Sequence, residues 1–323
     1  MIYLALPRPA QPRRLPFFLA MEEWVAHTLP SGEYFFVWQQ SVPTIICGRN
    51  QCIPAEVDVP GARECGVDIV RRRSGGGAVV ADGGNLMLSY VGPRNEGKEI
   101  SAIFSAWTTT LAQALSDLGL KAEASGRNDI CIHGRKVSGG AFYALPGRAI
   151  AHSTLLYEMP QPELLKHLTP ARAKFESKGV KSVEARITSL KAEGLAISQD
   201  ELISHLHDRL CSDTLTLTDE DVHAIENIEK SYYNPSFLKL DEDSRRRRTI
   251  LIPGRGILSA SYGAPGKIRL SGDFLDAESI AALELAIESI PAFGSIGHKT
   301  LDPKLEIHGV TAAQLQELLS SEP

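Results

Sequence analysis

Hydrophobic and polar positions follow two different periods along the first half of the chain. Apolar residues recur at helical spacing over residues 17–29 and again over residues 100–118, which predicts two helices. Short runs rich in β-branched and aromatic residues, separated by glycine and proline, predict strands at 34–38, 44–47, 67–72, 86–91, 130–133, 136–145 and 149–158. The pattern therefore predicts a mixed α/β fold for this part of the chain.

The pattern changes twice in the second half. Between residues 160 and 233 it becomes helical, and Thr218 with Asp221 form a predicted capping pair ahead of one helix. The segment 234–248, NPSFLKLDEDSRRRR, breaks the periodicity with proline and dense charge, which is typical of a surface linker. Strand-like runs follow (RTILI, ILSASYG and GKIRLSGDF), with helices near 276–289 and 311–319. We therefore predict two domains, residues 1–240 and a small α+β domain at residues 245–323.

Composition narrows the class of protein. A hydrophobic fraction of 43% with 23% charged residues supplies a sizeable core, and a net charge of -5 argues against a nucleic-acid-binding protein. The cysteines form neither a disulfide framework nor a zinc pattern: Cys47, Cys52, Cys65, Cys131 and Cys211. No window approaches the roughly 18 apolar residues of a membrane span, and the start lacks the order of a signal peptide. We expect a cytoplasmic protein with no membrane or nucleic-acid partner.

A glycine-rich stretch at residues 71–91 carries the first chemical signal. Consecutive glycines at 75–77 let backbone N–H groups approach an anion closely, and Ser74 with the three preceding arginines adds further donors. A plain hairpin loop would be the better interpretation of a bare triglycine, so the arginines shift the balance toward phosphate binding. GxxxxGK[ST], GxGxxG, HExxH and GxSxG motifs are absent, so P-loop, Rossmann, zincin and serine-hydrolase hypotheses have no motif support.

The stretch 125–157 carries the second signal. Asn128 and Asp129 offer oxygens suited to Mg²⁺, although such a pair more often makes a turn. Lys136 precedes a Val-Ser-Gly-Gly run, where a fixed ammonium could meet a carboxylate and the phosphate that it attacks, although a lone strand lysine usually faces solvent. Ser138 and His152 could donate to phosphate or carboxylate, although each alone is more often a satisfied polar residue.

Taken in this order and at this spacing, the two stretches resemble the lipoate–protein ligase family. The resemblance covers most of residues 15–190 and rests on RRxSGGGAV at 71–79, D-x-G-N at 82–85, GRND at 126–129, GRKVSG at 134–139, H-x-T-L-L at 152–156 and KGVKSVEARITSL at 178–190. The segment 266–290 is similar to the accessory domain of many of these ligases. The resemblance implies a mixed-sheet biotinyl/lipoyl protein ligase-like catalytic domain followed by a second, smaller α+β domain.

The resemblance also implies roles for individual residues. Lys136 and Arg72 would be catalytic. The nucleotide would be held by Ser74, Gly75, Gly76, Gly77, Ala78, Asn85, Asn128, Asp129, Lys136, Ser138 and Lys178, with Asp129 as the metal ligand. The acyl substrate would be bordered by Leu19, Glu22, Trp38, Arg72, Val79, Gly139 and His152. The segment 178–190 would close over the bound adenylate.

The implied activity is that of an ATP-dependent lipoate–protein ligase. Such an enzyme uses ATP and Mg²⁺ to convert lipoate or octanoate to an acyl-AMP, and it transfers the acyl group to a lysine of a lipoyl carrier domain. The carrier would be a 2-oxoacid dehydrogenase E2 or a glycine-cleavage H-like protein. Three positions depart from the family pattern, namely Ala81, Ala151 and Ser153, and we expect them to border the acyl pocket and to affect the choice of acid.

Two alternatives remain open from the sequence. The first is a lipoyl or octanoyl transferase that takes the acyl group from an acyl-carrier donor through a cysteine, without ATP. Cys131 is the only cysteine near the predicted site, but its apolar strand neighbours predict a buried, inert residue and the Ala-Cys-Gly signature is absent. The second is a non-catalytic binding protein, against which the retained Arg72, Asn85, Asp129 and Lys136 argue.

Overall fold

Strands and helices alternate through most of the chain in a computed structural model. The structure describes residues 1–40, 42–94, 100–126, 128–168, 187–240, 247–253, 256–262, 268–272, 277–288, 304, 306–307 and 309–319. The strands are β1 Ile2–Ala5, β2 Tyr34–Gln39, β3 Thr44–Cys47, β4 Asp68–Arg71, β5 Val79–Ala81, β6 Asn85–Pro93, β7 Ala122–Ser125, β8 Asp129–Ile132, β9 Arg135–Leu145, β10 Arg148–Leu156, β11 Asp213–Thr216, β12 Arg247–Ile252, β13 Gly256–Tyr262, β14 Ile268–Gly272, β15 Glu306–Ile307 and β16 Val310–Thr311. The helices are α1 Leu15–Thr28, α2 Ile53–Glu56, α3 Val59–Glu64, α4 Ile100–Ser116, α5 Pro162–Leu165, α6 Gln199–Leu210, α7 Asp219–Glu229, α8 Pro235–Leu238, α9 Ala277–Glu288 and α10 Ala312–Leu319.

A large mixed sheet and a small one form the first part of the molecule. The large sheet has the order β11-β1-β2-β6-β10-β9-β8-β7, in which β1 is parallel to both of its neighbours and the other pairs are antiparallel. The small sheet has the order β4-β3-β5, with β3 and β4 parallel. The mixed α/β class predicted from the hydrophobic pattern is confirmed.

The two faces of the large sheet belong to different hydrophobic clusters. Side chains alternate along β10, so Ile150 and His152 lie on one face and Ala151 and Leu155 on the other. Helix α1 packs on the first face and helix α4 on the second. We call the first the α1 face and the second the α4 face. Most of the residues that the sequence marks for chemistry lie on the α1 face or in the loop above it.

Helix α1 is buried along nearly its whole length. A proline in its first turn favours helix initiation, and every residue from Leu15 to Ala26 is buried. The buried set includes the carboxylates Glu22 and Glu23, and a buried charge requires paired donors. Glu22 contacts Ser89 and His152 of the sheet, and Glu23 accepts from Arg73 of the glycine loop and from the Tyr232 hydroxyl. The packing of α1 therefore brings two carboxylates into the predicted site.

The C-terminal part has a hydrophobic cluster of its own. Strands β12, β13 and β14 form an antiparallel sheet against which α9 and α10 pack. Polar contacts between described residues link this unit to the first part, among them the Gly272 N–H, which donates to the Asn50 carbonyl at 2.7 Å, and Arg247, which pairs with Glu56 at 3.3 Å. The division into residues 1–240 and 245–323 stays a prediction, with which a separate cluster is consistent.

Some elements were missed or misassigned from the sequence. Strand β11 lies in the stretch that we predicted to be helical, where it pairs in parallel with β1 at the sheet edge. All four residues of β11 are exposed, so no apolar face signals a strand there. The predicted capping pair is confirmed, because the Thr218 side chain accepts from the Asp221 N–H and the Asp221 side chain accepts from the Thr218 N–H.

Candidate active site

The triglycine segment between β4 and β5 wraps around the side chain of Arg72. The guanidinium is buried, and each of its nitrogens donates to the chain itself: Nε to Ser74 Oγ (3.1 Å) and the Gly75 carbonyl (3.2 Å), and the terminal nitrogens to the carbonyls of Ile46 (3.1 Å), Gly75 (2.7 Å) and Gly77 (2.8 Å). Burial lowers the pKa of Arg72 to about 10, so the group stays charged at neutral pH. The structure therefore places the Arg72 guanidinium inside the loop, where it holds the backbone around the triglycine segment, and the catalytic role expected from the resemblance stays a prediction.

The other two arginines of the run are also engaged by the protein. Arg71 donates to carbonyls of the turn after β3, at Gly48, Arg49 and Gln51, and to the Leu238 carbonyl. Arg73 donates to Glu23 at 2.6 Å and to Ser231 at 3.0 Å. The sequence predicts that all three arginines donate to an anion. The structure shows that these donor contacts hold the loop, the turn and the segment before residue 240 together.

Two glycines allow this loop to lie against the turn after β3. Gly76 has a φ of +93°, and a Cβ there would lie 2.8 Å from an Arg72 nitrogen. A Cβ on Gly48 would clash with the Gly76 carbonyl oxygen and lie 3.0 Å from its carbonyl carbon. Gly48 was not singled out from the sequence, and its only signal was a glycine directly after a strand.

We expect Arg72→Lys to destabilise the protein. A lysine ammonium cannot reach the carbonyls on both sides of the loop, so buried acceptors lose their donors and the free energy of unfolding should fall by about 3 kcal/mol. Denaturant unfolding measures this change. Arg49→Lys, at an exposed position in the adjacent turn, is the matched control. Equal unfolding midpoints for the two variants would show that the guanidinium does not support the loop.

A buried hydrogen-bonded chain connects the loop to α1 and the sheet. Ser74 Oγ lies 2.6 Å from His152 Nε2, and His152 Nδ1 lies 2.9 Å from Glu22 Oε2. The other Glu22 oxygen accepts from Ser89 at 2.6 Å, and Trp38 Nε1 donates to Ser89 Oγ at 3.1 Å. The sequence marked four of these residues separately, whereas the structure brings them into one array.

An apolar wall lies beside this array. Leu19 and Trp38 belong to the hydrophobic cluster of the α1 face, Val79 packs against it, and Phe18 stacks on Trp38 with ring centroids 4.5 Å apart. Ala81 is buried in the same cluster. These surfaces suit an aliphatic chain, because burial of apolar area is favourable and non-directional.

Two of the three departures from the family pattern lie elsewhere. Ala151 belongs to the cluster of the α4 face, and strand alternation places Ser153 on that face as well. Consistent with this placement, a Cβ on the paired Gly140 would meet both Ser153 and Phe104 of α4. The expectation that Ala151 and Ser153 border the acyl pocket is therefore wrong, whereas Ala81 does lie in the cluster beside the wall.

Lys136 reaches the same face of the sheet. Its Nζ lies 2.7 Å from Asp129 Oδ1, and its aliphatic chain passes over Gly139, where a Cβ would lie 2.5 Å from Lys136 Cε. Gly139 pairs with Thr154, which follows His152 by two residues on β10. Two residues along a strand span about 7 Å on one face. The lysine and the Ser74 loop therefore approach one region of the α1 face.

Asn85 supplies an unused donor on this face. Its Oδ1 accepts from the Asp82 N–H at 2.8 Å, but its Nδ2 is buried and has no hydrogen-bond partner in the described part of the chain. Asn85 begins β6 two residues before Met87, which pairs with Thr154. Buried polar groups are normally satisfied, so this amide is well suited to an absent ligand.

The model of the lipoyl protein ligase A/B catalytic domain matches residues 16–211 of the chain. The chain belongs to this family. The lipoate-protein ligase LplJ of Bacillus subtilis is 35% identical over 224 residues, which are 67% of each chain. Lipoate–protein ligase 1 of Staphylococcus aureus is 31% identical over 283 residues, which are 83% of this chain and 84% of that one.

Solved structures support the fold of this chain. Plasmodium falciparum LipL1 in complex with lipoate aligns with a TM-score of 0.70 at 19% identity, and the alignment covers 88% of each chain. A lipoate-protein ligase A bound with ATP aligns with a TM-score of 0.62 at 22% identity, covering 74% of this chain and 98% of that one. The fold predicted from the resemblance is confirmed.

Other residues that the sequence predicts for the site lie apart from the array. Strand alternation places Ser138 on the α4 face, where it pairs with Leu155, whereas Lys136 lies on the α1 face, and the contact between Ser138 and the nucleotide stays a prediction. Asn128 donates to the Gly140 carbonyl at 2.7 Å and fixes the start of β8. Ala78 packs in the cluster behind β3. Lys178, and residues 178–186 of the predicted closing loop, fall outside the described residues.

Asp129 and Cys131 are the residues that the sequence marks for metal and thiol chemistry. Among the described residues, no group of three or more His, Cys, Asp and Glu side chains could hold a metal ion. Mg²⁺ commonly binds through one or two carboxylates plus substrate phosphates, and Asp129 alone fits that role.

Cys131 is half-buried rather than buried as expected. No described helix has the length and apolar character needed to cross a bilayer.

Proposed function

We propose that this protein is an ATP-dependent lipoate–protein ligase that activates lipoate or octanoate and acylates a lysine of a lipoyl carrier domain. The observation that carries the proposal is that Lys136, Asn85 and His152 share one face of the large sheet with the apolar wall, and that His152 contacts the glycine loop through Ser74. The related proteins from Bacillus subtilis and Staphylococcus aureus are named lipoate–protein ligases. We also propose that the reaction uses Mg²⁺ and takes place in the cytoplasm, and that the carrier is a 2-oxoacid dehydrogenase E2 or a glycine-cleavage H-like protein.

Activation of the acid requires positive charge at the phosphate. A carboxylate is a poor acyl donor until its oxygen attacks the α-phosphate of ATP, which makes AMP the leaving group. Lys136 would leave Asp129 and bridge the attacking carboxylate and the phosphate, where negative charge accumulates in the transition state. Asn85 Nδ2 would donate to the nucleotide. Mg²⁺ held by Asp129 would neutralise phosphate charge when bound.

The glycine loop offers backbone N–H donors to the acyl-AMP. The N–H groups of Gly75, Gly76 and Gly77 donate to no carbonyl or side chain in the described part of the chain. In the second half-reaction the neutral lysine amine of the carrier attacks the acyl carbonyl, and AMP leaves. Positioning of the two reactants accounts for most of this step, because an acyl phosphate is already activated.

Mass spectrometry of lipoyl-domain proteins tests the proposal. Each candidate domain is incubated with the protein, ATP, Mg²⁺ and either lipoate or octanoate, and pyrophosphate is measured in parallel. We expect a mass increase by one acyl group on the domain and pyrophosphate release that requires the free acid. Acylation from an acyl-carrier donor without pyrophosphate would favour the transferase, and ATP binding with no turnover would favour the non-catalytic binding protein.

A further inference from the structure

A buried tyrosine hydroxyl on the α1 face has no partner within the described part of the chain. Strand alternation places Tyr143 of β9 on this face, where it pairs with Ile150 of β10 and packs against the α1-face cluster. Its ring centroid lies 6.3 Å from that of His152. The Tyr143 hydroxyl oxygen is buried, and no described residue forms a hydrogen bond with it. Buried polar groups are normally paired, so this hydroxyl indicates a ligand that supplies the missing acceptor.

The charged groups near this hydroxyl are already engaged with one another. Glu22 belongs to the buried array, and Glu23 accepts from Arg73 at 2.6 Å. Burial raises the pKa of Tyr143 well above its ordinary value, and the nearby Tyr232 and Glu22 raise it further. The hydroxyl therefore keeps its proton at neutral pH and is a neutral donor on this face of the sheet.

The strand that carries Tyr143 leaves room for an acyl chain. Between Lys136 and Tyr143, the α1-face positions of β9 are Gly139 and Ala141, whose side chains have at most one carbon atom. The Lys136 side chain lies over Gly139. A trough floored by these two small residues therefore runs along β9, with the lysine ammonium at one end and the tyrosine at the other. We call it the β9 trough.

The length of the β9 trough suits an eight-carbon acid. Gly139 and Tyr143 are four residues apart on one strand, which corresponds to about 13 Å. An extended octanoyl chain spans about 9 Å from its carboxyl carbon to its last carbon at ordinary carbon–carbon bond lengths. An acid whose carboxylate meets Lys136 above Gly139 therefore ends about 4 Å from the Tyr143 position, which is the distance of a direct contact.

We propose that Tyr143 selects the acid: its hydroxyl donates to a sulfur of the dithiolane ring, so the protein prefers lipoate to octanoate. This inference rests on the proposed ligase function and names its substrate. The dithiolane sulfurs lie at the end of the chain that reaches Tyr143. Sulfur is a weak acceptor, but it also packs favourably against an aromatic ring. The methyl end of octanoate offers no acceptor and leaves a buried donor unpaired, which weakens binding.

The family motifs do not mark this residue. Tyr143 lies after GRKVSG at 134–139 and before H-x-T-L-L at 152–156. Its place on the α1 face follows from the pairing of β9 with β10, which joins Tyr143 to Ile150. The selection of the acid therefore depends on a position between the motifs that indicate adenylation.

A sulfur-free analogue of lipoate tests the proposal with the shape of the acid held constant. The full chain is assayed for acid-dependent exchange between ATP and pyrophosphate, with lipoate and with the analogue in which a cyclopentane ring replaces the dithiolane. We expect the wild-type kcat/KM to be about 10-fold higher for lipoate, and Tyr143→Phe should bring the two acids within about twofold of each other. A wild-type protein without this preference, or an unchanged preference in Tyr143→Phe, overturns the proposal.

Stability separates recognition of the acid from a structural role. Removing an unpaired buried hydroxyl removes its desolvation penalty, so Tyr143→Phe should unfold at the same temperature as the wild type or at a higher one. Tyr233→Phe is the matched control, because this exposed hydroxyl donates to Glu229 at 3.0 Å, and it should keep the wild-type preference. A lower unfolding temperature for Tyr143→Phe, or equal losses of kcat/KM with both acids, would show a structural role and overturn the proposal.

The result can be told apart from the outcome of the ligase proposal. Acid-dependent exchange that does not respond to Tyr143→Phe would refute the selection by Tyr143 and leave the ligase proposal standing. If neither acid supports exchange, the ligase proposal fails. Calorimetric titration of lipoate and of the analogue into the wild type and Tyr143→Phe then gives the preference as a ratio of Kd values, with the same expected and contrary results.

Discussion

Lys136→Ala should lower the rate of lipoate-dependent exchange between ATP and pyrophosphate by about 100- to 1000-fold. The Lys136 ammonium lies beside Asp129 on the α1 face, close to Thr154. Its side chain is 29% exposed, so a ligand that enters from solvent can reach it. Negative charge develops on phosphorus during adenylation. Removing a fixed positive charge at that point raises the activation barrier of adenylation without changing the pocket that binds the acid. The exchange assay isolates the adenylation step from transfer to the carrier.

The same substitution should leave stability almost unchanged. A partly exposed ion pair contributes about 0–1 kcal/mol, so thermal unfolding of Lys136→Ala should follow that of the wild type closely. Lys121→Ala, at an exposed position in the same domain, is the matched control and should keep full exchange activity. Near wild-type exchange by a folded Lys136→Ala protein would refute the catalytic role.

Gly48→Ala is expected to displace the glycine loop and to reduce ligation by about 100-fold or more. The new Cβ would clash with the Gly76 carbonyl oxygen and lie 3.2 Å from the Gly75 carbonyl carbon, and both are backbone atoms that cannot rotate away. A displacement of about 1 Å at a reacting group costs on the order of 100-fold in rate. The ligation rate and the apparent affinity for the acyl-adenylate measure the effect.

Gly83→Ala provides the matched control for this substitution. Gly83 has no atom within 4 Å of its hypothetical Cβ and lies in the turn just before β6. The change in residue type is the same, but the space is open, so ligation should stay within about twofold of the wild type. Equal losses for the two glycine variants would show that the backbone contact at Gly48 does not position the loop.

The hydrophobic pattern predicted most of the regular structure because buried strands and helices carry strong periodic signals. The predicted β3 segment 44–47 coincides with Thr44–Cys47, and the helix at 100–118 appears as Ile100–Ser116. The exposed β11 carries no such signal, since its pairing with β1 is made by backbone groups more than two hundred residues apart.

The candidate site was only partly predictable for a related physical reason. Residue types at 72, 74 and 136 indicated anion chemistry, but the direction of each side chain depends on tertiary packing. Arg72 faces inward because three carbonyls curve around it, and Ser138 faces α4 because of strand alternation. The Ser74–His152–Glu22 array joins three distant segments, so no local motif could indicate it.

Lys136 and the triglycine loop should form one pocket for an acyl-adenylate. A crystal structure with a non-hydrolysable lipoyl-adenylate analogue tests it most directly. We predict that Lys136 Nζ will have left Asp129 and will lie within hydrogen-bonding distance of the group that replaces the phosphate, with the acyl chain against Leu19 and Trp38. An analogue bound elsewhere, with the 2.7 Å contact between Lys136 and Asp129 intact, would contradict the claim.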